Sequence, residues 1–494
     1  MLRAINPTVR YVFLFMSIAL SVTTRAQSPK QPSPEVRKHI ERITACITGQ
    51  VVIMGDASSC KTLKERMAEL HIPGASIAVV HNGAIEWAEG FGVVQVGGAP
   101  VTPETLFQAA SISKPLSAMA ALHLVQQGKL SLDADIDQWL TTWKVPASTT
   151  SPKAVVTLRE LITHTAGFSV HGFPGYAAGA PVPTLVQILD GEKPANTPPI
   201  RLESPPKDHW QYSGGGFTVM QQMLLDISKV SYPKLMHGTV LAAIGMKYST
   251  YQQPLPVNLR ADAATPYNSD GTPVEGGPHT YPEMAAAGLW TTPSDIALYI
   301  LENQRSLAGK ANHVLSPEMT KQMMTPGMGN WGLGVQIGGA AANPYFTHGG
   351  VNDGFESLFV GYENSGDGAV VMTNASGGSR LAEELMGAIA AEYKWPDFAP
   401  VVRTTVKVNP SMLAKYVGKY EFEDHFVRTV TLQNGQLVVS GPNQHPGDKL
   451  YPESETTFFA TVANAEFEFK ADGTGQVASM ILHYDGKKYA GTKK

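Results

Sequence analysis

Strand-like runs at both ends of a long helical stretch constrain this chain more than any other feature. Ala75–His81 and Ala84–Phe91 read as two strands joined at Asn82-Gly83, a dipeptide suited to a tight hairpin turn. A short helical pattern, Leu63–Leu70, precedes them and ends at Pro73-Gly74. Helical patterns follow, notably Ile112–Gln127, which stops at Gly128, while loops rich in Pro and Gly fill 171–215 and 252–283. Strand patterns return at Gly332–Ile337, Phe355–Gly361 and Gly368–Thr373. A sheet fed from both ends of the segment, with helices packed on it, buries all of these apolar faces: an α+β or α/β sandwich.

The pattern changes after residue 396. Asp397 to Pro410, with Pro400 and Pro410, reads as a linker, and the 84 residues beyond it hold only short alternating runs. These are Tyr416–Phe422, Phe426–Leu432, Gln436–Ser440, Thr457–Thr461, Glu466–Lys470 and Val477–Tyr484, with turn signals at Asn434-Gly435, Asp472-Gly473 and Asp485-Gly486. They predict a separate small all-β unit, a barrel or a sandwich. The expected organisation is a leader over 1–26, an amphipathic lead-in over 27–61 and a main domain over 62–398. A linker over 399–410 and a β unit over 411–494 complete it.

Composition agrees with two folded units: 494 residues exceed the usual size of one domain. Hydrophobic residues make up 43% and charged residues 16%, which excludes a disordered chain and allows a large core. The 47 Gly and 35 Pro show no triplet period, as suits a loop-rich globular enzyme rather than a fibre. Lys plus Arg total 38 against 42 Asp plus Glu, a net −4 with no basic run, so nucleic acid is not an expected partner.

At the N-terminus Arg3 and Arg10 precede an apolar run from Tyr11 to Val22, and Thr24-Arg25-Ala26 supplies small residues at −3 and −1. This is the layout of a secretory signal peptide cut after Ala26. The apolar run would rise only about 18 Å as a helix, against about 30 Å of bilayer hydrocarbon. The mature chain is therefore expected to be exported to the periplasm or beyond, without stable membrane insertion. Cys46 and Cys60 are the two cysteines of the chain. An oxidising compartment would let them close a small loop worth about 3 kcal/mol, while two unpaired thiols remain the alternative. Neither lies in a C-x-x-C or beside a His ligand, so zinc or redox chemistry is not expected.

Several chemistries lack their motifs: there is no H-E-x-x-H, no G-x-x-x-x-G-K-[ST], no G-x-G-x-x-G after a strand and no G-x-S-x-G. What stands out is Ser111-Ile112-Ser113-Lys114 at the start of a helix. A three-residue spacing puts hydroxyl and amine on one helical face. A serine hydroxyl is a weak nucleophile until a neighbour takes its proton, and a lysine can do so once its pKa is lowered. The unpaired N–H groups of the helix start can hold a developing oxyanion. The same spacing recurs at Ser58–Lys61 and Ser231–Lys234, but neither begins a long apolar helix, and both are read as accidents.

Context sets Ser111 apart. Six ordered pieces carry a resemblance: Ile72-Pro73-Gly74-Ala75-Ser76, Phe107–Lys114, Leu161-Ile162-Thr163-His164-Thr165-Ala166-Gly167, Tyr212-Ser213-Gly214, Ala287–Thr292 and His348-Gly349-Gly350. In these the sequence over 62–395 resembles the serine β-lactamase and penicillin-binding-protein superfamily. The likeness is to its class C β-lactamase-like branch of esterases, peptidases and lactamases. The resemblance implies an antiparallel sheet flanked by helices, with a helical lobe. It also implies Ser111 as the acylated nucleophile, Lys114 as its proton acceptor, and Tyr212 as second base or leaving-group acid. His348-Gly349-Gly350 would take the place of the family's Lys-Thr-Gly on the strand beside the site. The oxyanion hole would be the N–H groups of Ser111 and Val351. No metal or organic cofactor is implied.

Two positions depart from that pattern. Gly214 stands where the second motif usually ends in Asn, and His348 and Gly349 replace Lys and Thr. A neutral imidazole and bare backbone grip a substrate carboxylate less well than ammonium and hydroxyl. Tyr362-Glu363-Asn364 is another Y-x-N, but it follows a strand and reads as a turn. His164 reads as a loop tie, and Trp210, Trp290 and Trp331 as core packing, with a pocket lining as the alternative. The expectation is an exported serine hydrolase acting on esters, amides or D-amino-acid peptides. The alternatives are a β-lactamase, a sensor acylated without turnover, or a β unit that binds peptide or glycan.

Overall fold

The computed structural model describes residues 32–494 except 57–58, 149–150, 311, 424–425, 442–446 and 485. The leader over 1–26 and Ser58 lie outside these. Strands β1 (Val51–Ile53), β2 (Gly74–His81) and β3 (Ala84–Gly92) come first; β4 (Phe107–Gln108) and β5 (Trp290–Thr291) pair with each other. After residue 335 come β6 (Gln336–Gly338), β7 (Tyr345–Asn352), β8 (Phe355–Tyr362) and β9 (Gly368–Thr373). They form one antiparallel sheet in the order β3-β2-β9-β8-β7-β6, so strands from both ends of the segment meet at the β2–β9 pair.

Both faces of this sheet are covered, and β2 shows how. Ala75, Ile77 and Val79 point to one core, with Ile40, Met67, Leu381 and Leu385; Ala78 and Val80 point to the other. Alternation with period two therefore delivers apolar side chains to both layers, and the strand reads as a continuous apolar run. Helices Pro34–Ala45, Leu63–Glu69 and Gly378–Tyr393 lie on the first face, locked by a bidentate pair between buried Arg66 and Glu384, 2.6 Å at each contact. The second face carries the helical lobe, with Ser113–Gln126, Gly214–Ser228 and Pro293–Leu307. This is the antiparallel sheet with flanking helices and a helical lobe.

Two strand expectations shift. The run Gly332–Ile337 is mostly a turn: Gly332 N donates to Val335 O at 2.8 Å and Gly334 has φ +97°, so pairing starts only at Gln336. Strand β7 was not visible as a periodic run, because its inward positions are Phe346, His348, Gly350 and Asn352. Alternation is present there, but polar and glycine residues carry it.

The C-terminal unit is a closed antiparallel barrel of β11 (Gly418–Phe422), β12 (Val427–Gln433), β13 (Gln436–Ser440), β14 (Asp448–Pro452), β15 (Thr457–Ala460), β16 (Glu466–Ala471), β17 (Val477–Tyr484) and β18 (Lys487–Lys493). Its own core includes Tyr420, Val430, Leu450, Phe458, Phe469 and Met480. The stretch 399–410 is more than a linker: β10 (Val401–Arg403) pairs in parallel with β1. Arg403 then reaches the barrel through Glu453 (2.9 Å) and Glu466 (3.1 Å). Cys46 and Cys60 are joined as a disulfide with Cα atoms 4.9 Å apart, closing the loop that contains β1. Among the described residues no helix is long and apolar enough to cross a membrane, and no group of three or more His, Cys, Asp or Glu could hold a metal ion.

Candidate active site

Ser111 lies in a single 3-10 turn, Ala110–Ile112, just ahead of the helix Ser113–Gln126 rather than inside it. The turn starts from a left-handed backbone at Ala110, φ +50°, a conformation that costs about 1–3 kcal/mol for a residue with a Cβ and needs outside support. Ser113 supplies some of it. Its Oγ donates to Ala110 O at 2.5 Å and accepts from Leu289 N at 2.9 Å. Ala109 N donates to Leu289 O at 2.8 Å. Ser113 is fully buried, whereas Ser111 keeps partial exposure.

Lys114 donates to Ser111 Oγ at 2.8 Å and to Ala286 O at 2.8 Å. It is 2% exposed. Burial disfavours its charged form and pushes the ammonium down from 10.5 to about 7. At neutral pH a large fraction of this amine is thus free to accept a proton.

Tyr212 immediately precedes the helix Gly214–Ser228. Ser213 caps that helix, its Oγ accepting from Gly216 N at 3.0 Å and donating to Ser169 O at 3.1 Å. His171 Nδ1 donates to Tyr212 O at 2.5 Å. Lys114 Nζ sits 5.0 Å from the Tyr212 ring centroid. Burial pushes the phenol well above its usual value, and a side-chain hydrogen bond with Ser111 offsets part of that rise. Amine, hydroxyl and phenol therefore converge, although Tyr212 is a hundred positions away in sequence.

His348 faces the same place from β7. Its ring centroid is 6.1 Å from that of Tyr212 and 5.5 Å from that of Trp331. Its Nδ1 donates to Gly349 O at 2.6 Å, which leaves Nε2 as a lone-pair acceptor without a partner among the described residues. Burial, and after it the charge of Lys114, lowers the imidazole to about 3, so His348 is neutral at physiological pH. Gly350 explains itself sterically: a Cβ there would lie 2.2 Å from Ala109 O, so only a bare backbone lets β7 pack against the turn that carries Ser111. Gly349 has no such constraint, its nearest neighbour being Ser357 O at 3.7 Å. The Val351 side chain is 63% exposed.

Gly214 also has a local cause. A Cβ at this position would meet the Phe173 ring at 2.9 Å. The aromatic ring from the preceding loop fills the space that a side chain at 214 would need.

Three residues belong here to which sequence reading gave structural roles, Trp210 and Trp331 as packing and His164 as a loop tie. The rings of Trp331 and Trp210 meet at a tilt of 41° with centroids 5.5 Å apart, and the Trp331 ring lies 5.9 Å from that of Tyr212. His164 lies 4.3 Å from Tyr212 and 4.9 Å from Trp331. The signal for His164 was its place within the 161–167 piece; nothing local marked the tryptophans. Trp290 is different: it packs on Phe355 at 5.6 Å and lines a cavity of about 550 Å³ with Arg260, Ala264 and His279. Tyr362, of the other Y-x-N, is buried at the end of β8 and donates to Asp397 at 3.2 Å.

Known proteins share this architecture. A model of the Beta-lactamase family matches residues 61–393, and a domain of unknown function, DUF3471, matches 402–493. Penicillin-binding protein 4* of Bacillus subtilis is 23% identical over 467 residues, covering 87% of this chain and 96% of that protein. Protein flp of Staphylococcus aureus is 24% identical over 359 residues, covering 69% of this chain and 68% of that one. Among solved structures, the octameric penicillin-binding protein homologue from Pyrococcus abyssi superposes with a TM-score of 0.57 at 22% identity, covering 87% of this chain and 98% of its own. The D-amino acid amidase from Ochrobactrum anthropi gives 0.55 at 18%, covering 73% and 99%. With the family model spanning the sheet, the helical lobe and the convergent hydroxyl, amine and phenol, this chain belongs to the serine β-lactamase and penicillin-binding-protein superfamily.

Proposed function

We propose that this protein is an exported serine hydrolase that forms an acyl-enzyme on Ser111 and hydrolyses esters, amides or D-amino-acid peptides. The observation that carries the reading is the 2.8 Å contact between Ser111 Oγ and a fully buried Lys114 whose amine titrates near 7. Ser111 Oγ attacks the substrate carbonyl carbon, and its proton passes to the neutral Lys114 amine. The oxyanion is held by the N–H groups of Ser111 and Val351, and the close seat of β7 at Gly350 supports that pairing. Collapse breaks the bond to the alcohol or amine, which leaves with a proton. Tyr212, kept as a phenol by burial, is the group suited to give it. The Lys114 ammonium returns its proton to the Tyr212 phenolate, which resets both groups. Water then attacks the ester carbonyl as the free Lys114 amine takes its proton. Collapse breaks the acyl bond to Ser111 Oγ, which takes that proton back as the acid leaves. Side chains of the chain itself complete every proton transfer.

Substrate preference follows from charge. His348 is neutral, so it offers no cation to a substrate carboxylate, and Gly214 brings no amide to a substrate side chain. Both features favour esters, amides and peptides over β-lactams. The D-amino acid amidase among the fold neighbours, named for an amide substrate, fits that preference. Export rests on the N-terminal apolar run and its small-residue cleavage site.

The test is Ser111→Ala. It should lower turnover of p-nitrophenyl esters by about 10³-fold or more with an unchanged melting temperature. Intact mass after a fluorophosphonate pulse should show one adduct on the wild type and none on the variant. Wild-type turnover by the alanine variant would overturn the reading. A stable adduct without turnover would make the protein an acylated sensor.

A further inference from the structure

One buried imidazole outside the proposed reaction holds Tyr212 from three directions. The carbonyl of His164 accepts from Gln211 N at 2.9 Å, and its Nδ1 accepts from Ser213 N at 3.1 Å, so both neighbours of Tyr212 are tied to one residue. The His164 ring lies against the Tyr212 ring, with centroids 4.3 Å apart and planes 35° from parallel. Behind it, Phe217 at 5.4 Å and Trp331 at 4.9 Å close the seat, leaving the residue 2% exposed. Burial and the neighbouring Lys114 hold the imidazole well below its ordinary value, so it is neutral. Because Nδ1 accepts, the proton is on Nε2. The backbone at His164 is left-handed, φ +59°, which residues with a Cβ adopt rarely. A loop tie could bond at any point along the segment; here the two hydrogen bonds fall on residues 211 and 213, on either side of Tyr212.

We infer that His164 is a positioning residue for the reaction at Ser111: it grips the backbone on either side of Tyr212 and seats the ring, so that the phenol is held at the serine. This rests on the proposed role of Tyr212. His164→Ala removes the side-chain acceptor and the ring. His164→Asn keeps an acceptor at the place of Nδ1 and, among residues with a Cβ, is one that tolerates a left-handed backbone well.

With a p-nitrophenyl ester, His164→Ala should lose about 10- to 100-fold in kcat with KM nearly unchanged, the scale expected when a reacting group is misplaced. His164→Asn should recover most of that loss. A double-mutant cycle with Tyr212→Phe isolates the route, because a residue acting through the phenol has little left to lose once the phenol is gone. Non-additive losses with rescue by Asn support the inference. Losses that add, a wild-type kcat in folded His164→Ala, or an Asn variant that folds but is no better than Ala, overturn it while leaving Tyr212 in place. Full activity in Tyr212→Phe removes the role of Tyr212 and this inference with it. Should His164→Ala fail to fold, the cycle is run with His164→Asn, where additive losses again overturn the inference.

Discussion

Burial decides which proton Lys114 carries. A lysine in water is charged up to 10.5, but this one titrates near 7, so its accepting form fills as pH rises through that value. The sign follows: kcat/KM should climb about tenfold per pH unit below 7 and level off above it, because the reactive form is the deprotonated amine. A pH–rate profile with a non-ionising ester checks this, and a flat profile from pH 5 to 8 would contradict it. The pairing of Ser111 with Lys114 was legible in the sequence because a three-residue spacing is local. Tyr212 and His348 came only through resemblance; His164 sat in a piece of that resemblance yet read as a loop tie, and no local pattern marked the seat it makes with Trp210 and Trp331. It exists only when three distant loops are folded together, and no local period encodes that.

Among the elements, β7 matters most to the site and was the hardest to read. Its inward side alternates Phe346, His348, Gly350 and Asn352, so hydropathy does not mark it even though register does. The barrel shows the same effect: β18 is Lys-rich and mostly exposed, and it escaped notice, whereas β13 and β17 bury apolar residues and were found. Two neighbouring glycines in β7 offer a clean contrast. Gly350→Ala must push a Cβ into Ala109 O, a backbone atom that cannot step aside, and should cost about 1–3 kcal/mol and most of the turnover. Gly349→Ala meets nothing closer than 3.7 Å and should leave both nearly intact. Thermal melts and ester kinetics on the pair would check it. Equal behaviour of the two variants would show that β7 does not press on the serine turn.

For the whole molecule, sequence patterning separated a mixed unit from a small β unit, but it did not reveal how firmly they are joined. The parallel β1–β10 ladder, the Val51 N to Thr461 O bond of 3.2 Å and the Arg403 ion pairs all cross the junction. The first two link residues hundreds of positions apart and the ion pairs reach 50 and 63 positions along the chain, which is why a stretch with two prolines looked like plain linker. A chain stopped after residue 409 should melt lower than the full protein yet still take a fluorophosphonate on Ser111. A stable shortened chain that no longer reacts would instead mean that the barrel helps to build the site.

The guanidinium of Arg403 makes that surgery less simple than it sounds. Its fork spans Glu453, Glu466 and Asn464, all on the barrel, so excising the barrel strands a half-hidden cation beside a two-stranded ribbon fastened by the Cys46–Cys60 bridge. Anyone wishing to study the hydrolase half in isolation would do better to trim the barrel and neutralise Arg403 in the same step than to move the cut further upstream, where the ribbon itself would unzip.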